Sequence, residues 1–180
     1  TGWKQPVRAV AIDGQGKLLV AGGEAKQIIL YSLAKKRTLW ISGTRGQVMT
    51  LAFSPDGKTI AVGWKSRRLA LLSTSSGKVI RTIGKLRGIP HSLAYSPDGK
   101  LLAVGGQSQQ IALYDPATGK SKGLLSGHTS WVADVAFSPD GKLLAGGGWD
   151  HAVRIFDVAR RKLLRSAHGH RYAVNAGGFT

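Results

Sequence analysis

The chain has 180 residues, with 26 Lys and Arg against nine Asp and Glu, so its formal net charge is +17. Its hydrophobic content of 42% is too high for a disordered chain, and its length favours one domain. The absence of cysteine excludes disulfides and thiolate zinc sites, and no uncharged apolar run reaches the roughly 18 residues of a membrane helix. Because a chain without cysteine fits exported and cytoplasmic proteins alike, no compartment is predicted.

A five-residue motif returns at a fixed spacing along the chain. Ser-Pro-Asp-Gly-Lys begins at residues 54, 96 and 138, which are 42 residues apart, and a degenerate copy occupies Asp13–Lys17. Periods of 20 to 50 residues are typical of solenoids, propellers and other repeat arrays. The sequence therefore predicts repeated units of about 42 residues, with no linker or second domain.

Each repeat contains three short apolar runs and a fourth, more polar one, all separated by turn residues, as strands are. In the third copy the first three runs are Ser92–Tyr95, Leu101–Val104 and Ile111–Tyr114. The Pro-Asp-Gly turn has a physical basis, because proline presets φ, aspartate bonds the backbone ahead and glycine accepts a positive φ. The predicted inner strands are Val7–Ile12, Met49–Phe53, His91–Tyr95 and Val132–Phe137. The predicted last strands are Arg37–Ile41, Val79–Ile83, Ser121–Leu125 and Lys162–Ser166.

The fourth copy resembles a WD repeat. It contains Gly127-His128, the Ser-Pro-Asp-Gly turn at 138–141, Trp149-Asp150, and Phe156-Asp157 at the place of the closing Trp-Asp. In that family Gly-His opens a repeat, Trp-Asp closes it, and each repeat forms one four-stranded blade. The closing pair is weaker in the other copies, which read Tyr31-Ser32, Leu72-Ser73 and Tyr114-Asp115.

This resemblance implies an all-β WD-repeat β-propeller with four four-stranded blades plus the first strand of a fifth. The blades are expected over about 3–42, 43–84, 85–126 and 127–168, with the orphan strand in 169–180. The chain begins with Thr1 rather than Met and stops in mid-repeat, so we expect it to be part of a larger ring. Missing blades or another chain would complete that ring, and two copies joined head-to-tail are the alternative. The regular turns resemble those of bacterial members of the family.

His128 and Asp150 form the most definite polar pair, and the resemblance implies a buried structural network for them. Gly146 and Phe156 stand at the serine and tryptophan positions of that network, so two members are expected. A catalytic role would need a nucleophile, and the chain has no Gly-x-Ser-x-Gly elbow. A metal pair at His168 and His170 and a phosphate cradle at the glycine runs are also disfavoured, the latter because no helix follows them. We therefore expect no enzyme activity, no cofactor and no metal.

The basic residues fall into two sets on opposite propeller faces. The repeat-turn lysines Lys17, Lys58, Lys100 and Lys142 are interpreted as solvated. The opposite face mixes aromatic residues with arginines, which suits partner anchors or stacked nucleobases. The candidate partner-binding residues there are Arg45, Trp64, Lys65, Arg67, Arg68, Arg87, Trp149, His151 and Arg171.

The function that these observations favour is a non-catalytic binding scaffold, which mediates protein–protein interaction or complex assembly through propeller loops. The partner is expected to be an acidic protein, because the chain is strongly basic. The alternative is electrostatic binding of nucleic acid or another anionic surface, which salt would weaken steeply.

Overall fold

The computed structural model describes residues 5–175 and 178–179, and these divide into two compact units that meet in sequence at Ile89 and Pro90. The described residues form sixteen strands and no helix. Within each sheet, neighbouring strands are antiparallel and follow one another in chain order. The all-β class and the four strands per repeat are thereby confirmed.

The first unit holds two sheets. The first sheet contains β1 (Val7–Ile12), β2 (Leu18–Gly23), β3 (Gln27–Ser32) and β4 (Arg37–Gly43). The second sheet contains β5 (Val48–Phe53), β6 (Thr59–Trp64), β7 (Arg68–Ser73) and β8 (Val79–Lys85). Strand β5 packs against β1 and β2, and the apolar core between the two sheets includes Ile28, Leu30, Val48 and Ile60.

The second unit repeats this plan. The third sheet contains β9 (Pro90–Tyr95), β10 (Leu102–Gly106), β11 (Gln110–Tyr114) and β12 (Ser121–Ser126). The fourth sheet contains β13 (Val132–Phe137), β14 (Leu143–Gly148), β15 (Val153–Asp157) and β16 (Lys162–Ala167). Strand β13 packs against β9 and β10, and the core between the two sheets includes Ile111, Leu113, Leu144 and Phe156.

The repeated motif is a hydrogen-bonded turn between the first two strands of a sheet. Ser54 Oγ lies 2.6 Å from Asp56 Oδ1, the Lys58 amide donates to that carboxylate over 3.0 Å, and Gly57 has a φ of 68°. The serine hydroxyl donates to the aspartate in the same way in the turns of the third and fourth sheets. In the third sheet the Leu101 amide also donates to Ser96 Oγ. Strand β10 begins at Leu102, one residue later than the sequence predicts.

Close contacts between glycine and valine set how closely the second strand of one sheet approaches the inner strand of the next sheet in the same unit. A Cβ atom on Gly22 would lie 2.8 Å from Val48 Cγ1, and one on Gly105 would lie 2.9 Å from Val132 Cγ1. Val174 makes the same contact with Gly147, and its amide donates to the Gly148 carbonyl over 3.1 Å. Val174 therefore takes the place of an inner-strand valine. Residues 169–175, 178 and 179 carry no strand, and 176, 177 and 180, which the predicted orphan strand also spans, lie outside the described residues.

Candidate functional site

The fourth sheet holds a buried polar cluster of three side chains. His128 Nδ1 lies 3.2 Å from both carboxylate oxygens of Asp150, and Arg154 Nη1 lies 2.5 Å from Asp150 Oδ2. The Thr129 amide donates to the same carboxylate over 2.8 Å. The side chains of His128, Asp150 and Arg154 are 0%, 5% and 7% exposed. The network therefore has three members rather than the expected two, because Arg154 also reaches the Asp150 carboxylate.

The charges in this cluster follow from its burial. Burial disfavours the imidazolium and outweighs the pull of Asp150, so the pKa of His128 lies below its ordinary value. Burial also opposes ionisation of Asp150, but the Thr129 amide, His128 and Arg154 together lower the pKa of this carboxyl to about 2. The ion pair at neutral pH is therefore Arg154 with Asp150, while His128 is neutral. These contacts join the loop before β13, the turn between β14 and β15, and β15 itself, which is the role of a structural cluster.

The second unit also brings aromatic rings together at its surface. The rings of Trp131 and Trp149 lie 5.1 Å apart, and His91 stacks on Trp131 at 6.0 Å. Trp149 is 53% exposed and Trp131 is 38% exposed. Sequence reasoning singled out Trp149 but missed Trp131 and His91, because their proximity depends on how β9 and β13 pack. Exposed paired aromatics of this kind are typical anchors for a protein partner.

Two further candidates in the second unit lie on its surface. His151 is exposed in the turn between β14 and β15 with a φ of 60°, and Arg171 is exposed after β16. In the first unit, Arg67 takes the turn position equivalent to that of His151, with a φ of 61°. Positive φ is uncommon for residues other than glycine, and the two turns share it at the same position of the repeat.

A groove opens in the first unit between β4 and the loop that follows it, on one side, and β7 and β8 on the other. Its volume is about 420 Å³, and Arg45, Trp64, Ser66 and Arg68 are among the residues that line it. Lys65, Arg67 and Arg87 are exposed but do not line it. Trp64 was expected as a displayed anchor, but it is half-buried and packs against the core of the first unit, so it forms a wall of the groove.

Trp64 is also incompletely satisfied in this position. Its indole Nε1 is buried and has no hydrogen-bond acceptor among the described residues. A buried donor without a partner costs roughly 1–3 kcal/mol. One wall of the groove therefore contains a buried hydrogen-bond donor that no described acceptor satisfies.

The positive charge is concentrated in the first unit. Up to Ile89 the sequence has sixteen Lys and Arg and three acidic residues, a net charge of +13, whereas the rest has ten against six, a net charge of +4. The three acids are already engaged. Glu24 forms an ion pair with Arg8, and Asp13 accepts hydrogen bonds from the amides of Lys17 and Leu18. Asp56 accepts a hydrogen bond from Ser54 Oγ in its turn. Arg45, Lys65, Arg67 and Arg68 consequently have no ion pair within the described part of the chain.

Among residues 5–175 and 178–179, no group of three or more His, Asp or Glu side chains is placed to hold a metal ion. No helix in this part of the chain has the length and apolar character needed to cross a membrane.

Four-stranded antiparallel sheets in chain order, repeated every 42 residues, define the blades of a β-propeller. Residues 77–115 and 119–157 match the family model described as WD domain, G-beta repeat, and residues 15–90 match that of the anaphase-promoting complex subunit 4 WD40 domain. These matches together span most of the sequence, and the chain belongs to the WD-repeat family. WD repeats generally serve as scaffolds for protein interaction. No curated protein matches the chain.

Proposed function

We propose that this chain is a non-catalytic scaffold that binds an acidic protein partner through its loops and assembles it into a complex. The observation that supports this most directly is the set of unpaired cations around the groove of the first unit. Arg45 and Arg68 line the groove, and Lys65 and Arg67 lie on the adjoining loop. Cations without a resident counter-ion attract and orient an acidic surface. One of the matching family models is named for a subunit of a large assembly, which agrees with this role.

The proposal extends to the open side of the first sheet, where we expect another blade to bind. Ala9 and Ala11 face the second sheet, so the alternating residues Val10 and Ile12 face the other way and are 63% and 58% exposed. Ile41 on β4 belongs to the same cross-strand row as Val10 and is 58% exposed. Exposed apolar sheet surface of this kind marks an interface. Light scattering of the 180 residues should show self-association, and a sharply melting monomer would contradict this extension.

Capture from a lysate of the source organism tests the choice of face. The variant Arg45→Gln/Arg68→Gln should lose acidic protein partners that the parent chain retains. The matched variant Lys58→Gln/Lys100→Gln removes the same charge from two exposed repeat turns and should retain them. If the lysine variant loses the partners and the arginine variant keeps them, the binding face is the one that carries the repeat turns.

Nucleic-acid binding is the second candidate, and the +13 charge of the first unit is the observation that favours it. Binding to phosphates weakens steeply with salt, because each neutralised phosphate releases counterions. Nuclease treatment of the lysate and a salt series with a thymidine oligonucleotide separate the two functions. Protein capture that persists after nuclease treatment and in 200 mM salt supports the protein scaffold. Affinity that rests on several phosphate contacts would instead fall by about 10³-fold or more between 50 mM and 200 mM salt.

A further inference from the structure

We propose that the groove of the first unit is a carboxylate pocket, which receives an Asp or Glu side chain of the acidic partner. This inference rests on the proposed function and specifies how its site works. The bound carboxylate would lie in the groove beside Arg45 and Arg68. The second sheet thus offers a partner a cationic groove where the fourth sheet has a buried cluster of its own residues.

The correspondence between the two sheets is set by an offset of 84 residues, which is two repeats. Strand register confirms it, because Arg154 pairs with Ser166 on β16 just as Ala70 pairs with Thr82 on β8. The same offset relates the next matching pair, because Phe156 pairs with Leu163 and Leu72 pairs with Val79. By this offset His128, Asp150 and Arg154 correspond to Thr44, Ser66 and Ala70.

The three replacements are all smaller, and they leave space. Thr44, Ser66, Ala70 and Thr82 line the groove of about 420 Å³. A Cβ atom on Gly127 would lie 3.2 Å from Leu163 and 3.4 Å from Arg154, whereas one on the equivalent Gly43 meets nothing within 4 Å. Trp64 stands where the fourth sheet has Gly148, and a Cβ atom on Gly148 would lie 2.7 Å from Asp150 Oδ1, so Trp64 takes the place of that carboxylate and the groove extends along Ala70 and Thr82.

The groups that hold a carboxylate in the fourth sheet have counterparts in the groove. The Thr129 amide donates to Asp150, and its counterpart, the amide of Arg45, donates no hydrogen bond among the described residues. The guanidinium of Arg154 has no equivalent at Ala70, but Arg45 and Arg68 both line the groove. None of the described lining residues is acidic, so the site has donors and cations and lacks an acceptor anion. Charge-assisted hydrogen bonds from such groups are the strong ones in carboxylate recognition.

A peptide that alternates glutamate and glycine over ten residues is the probe, and the same peptide with glutamine is its neutral control. Calorimetry with the 180-residue chain should show binding of the glutamate peptide only. The ¹⁵N indole signal of Trp64, assigned by its loss in Trp64→Phe, should shift on binding because this ring lines the groove.

The decisive pair of variants is Ser66→Asp and Ser66→Asn. The aspartate adds a carboxylate to the lining of the groove, where it would pair with Arg45 or Arg68 and should weaken glutamate-peptide binding at least tenfold. The asparagine has the same shape without the charge and should bind within about twofold of the parent chain. Equal binding by the two variants would overturn the proposal. Thermal melts of both variants verify that each is folded.

Arg68→Gln provides a second measurement and should weaken binding about tenfold, because a charged hydrogen-bond partner is lost. Lys58→Gln removes the same charge from an exposed turn and should change binding less than twofold. If the peptide does not bind while acidic proteins are still captured, the pocket is wrong and the scaffold stands. If neither binds, both are wrong. A thymidine oligonucleotide that binds the parent chain more tightly than the peptide, and loses that binding in Ser66→Asp, would assign the groove to phosphate and overturn the carboxylate.

Discussion

The second and fourth sheets have the same strand arrangement, but three equivalent positions carry large polar side chains in the fourth sheet and small side chains in the second. The fourth sheet fills them with His128, Asp150 and Arg154, whose side chains are at most 7% exposed. The second sheet has Thr44, Ser66 and Ala70 there, and a solvent-open groove results. The turns and the apolar core are common to both sheets, so side chains at these three positions can differ without changing the strand plan.

The largest difference between the two sheets should follow from removing the central residue. Asp150→Ala leaves the buried Arg154 guanidinium without its counter-ion, which costs roughly 3–5 kcal/mol of unfolding free energy. Ser66→Ala, at the equivalent position, should change that free energy by less than about 0.5 kcal/mol. Urea unfolding of both variants measures this contrast. If Asp150→Ala loses as little unfolding free energy as Ser66→Ala, the cluster in the fourth sheet is not stabilising.

A smaller effect is expected at the neighbouring position. His128→Ala removes a fully buried ring that packs near Phe156 and bonds Asp150, and it should cost roughly 1.5–3 kcal/mol without affecting any binding activity. Thr44→Ala loses the hydrogen bond of 2.7 Å to the Gly46 carbonyl, worth about 1 kcal/mol. Melting temperatures report both, and a His128→Ala variant that melts like its parent would mean that the cluster does not form.

Alanine at the glycine beside each site probes the free space directly. Gly127 has a φ of 151° and a substituent there would crowd Leu163 and Arg154, so Gly127→Ala should cost roughly 1–3 kcal/mol. Gly43→Ala meets nothing within 4 Å and should lie within about 0.5 kcal/mol of the parent. A destabilised Gly43→Ala variant would show that the groove is closed in solution.

The smallest effect concerns pH. The pKa of His128 is lower in the folded chain than its ordinary 6.5, so the unfolded chain binds more protons and stability falls as pH drops below about 6.5. Asp150 acts in the same direction at lower pH, where its contribution is lost between its ordinary pKa of 3.8 and about 2. His128→Gln should flatten the decline between pH 7 and 5. Unfolding curves at several pH values test this, and an unaltered slope in His128→Gln would contradict the neutral assignment.

Strand positions were predictable because they depend on local chemistry. Val7–Ile12 and Val132–Phe137 have the predicted bounds, and the other inner strands begin one residue earlier, at Val48 and Pro90. The predicted last strands extend further, for example to Gly43 in β4, because pairing with β3 continues past the apolar run. Repeated turn residues and alternating apolar runs carry this information within about ten residues of chain.

Site geometry was less predictable, because it depends on contacts across the repeat. The His128 and Asp150 pair follows from the resemblance, but Arg154 joins it only because β15 turns that side chain toward the carboxylate. Trp64 looked like a surface anchor beside Arg68, and only its packing against the first-unit core shows that it is a wall.

The sequence by itself determined the class of this protein, since a 42-residue period, turn motifs and apolar runs are local and repeated. It also determined the strong positive charge. Only the tertiary structure decided which equivalent positions are filled and which are vacant, because that depends on the summed volumes of side chains from several strands and loops. The same reason explains the aromatic contact of Trp131 with His91 and Trp149, whose rings come from separate segments that only packing brings together.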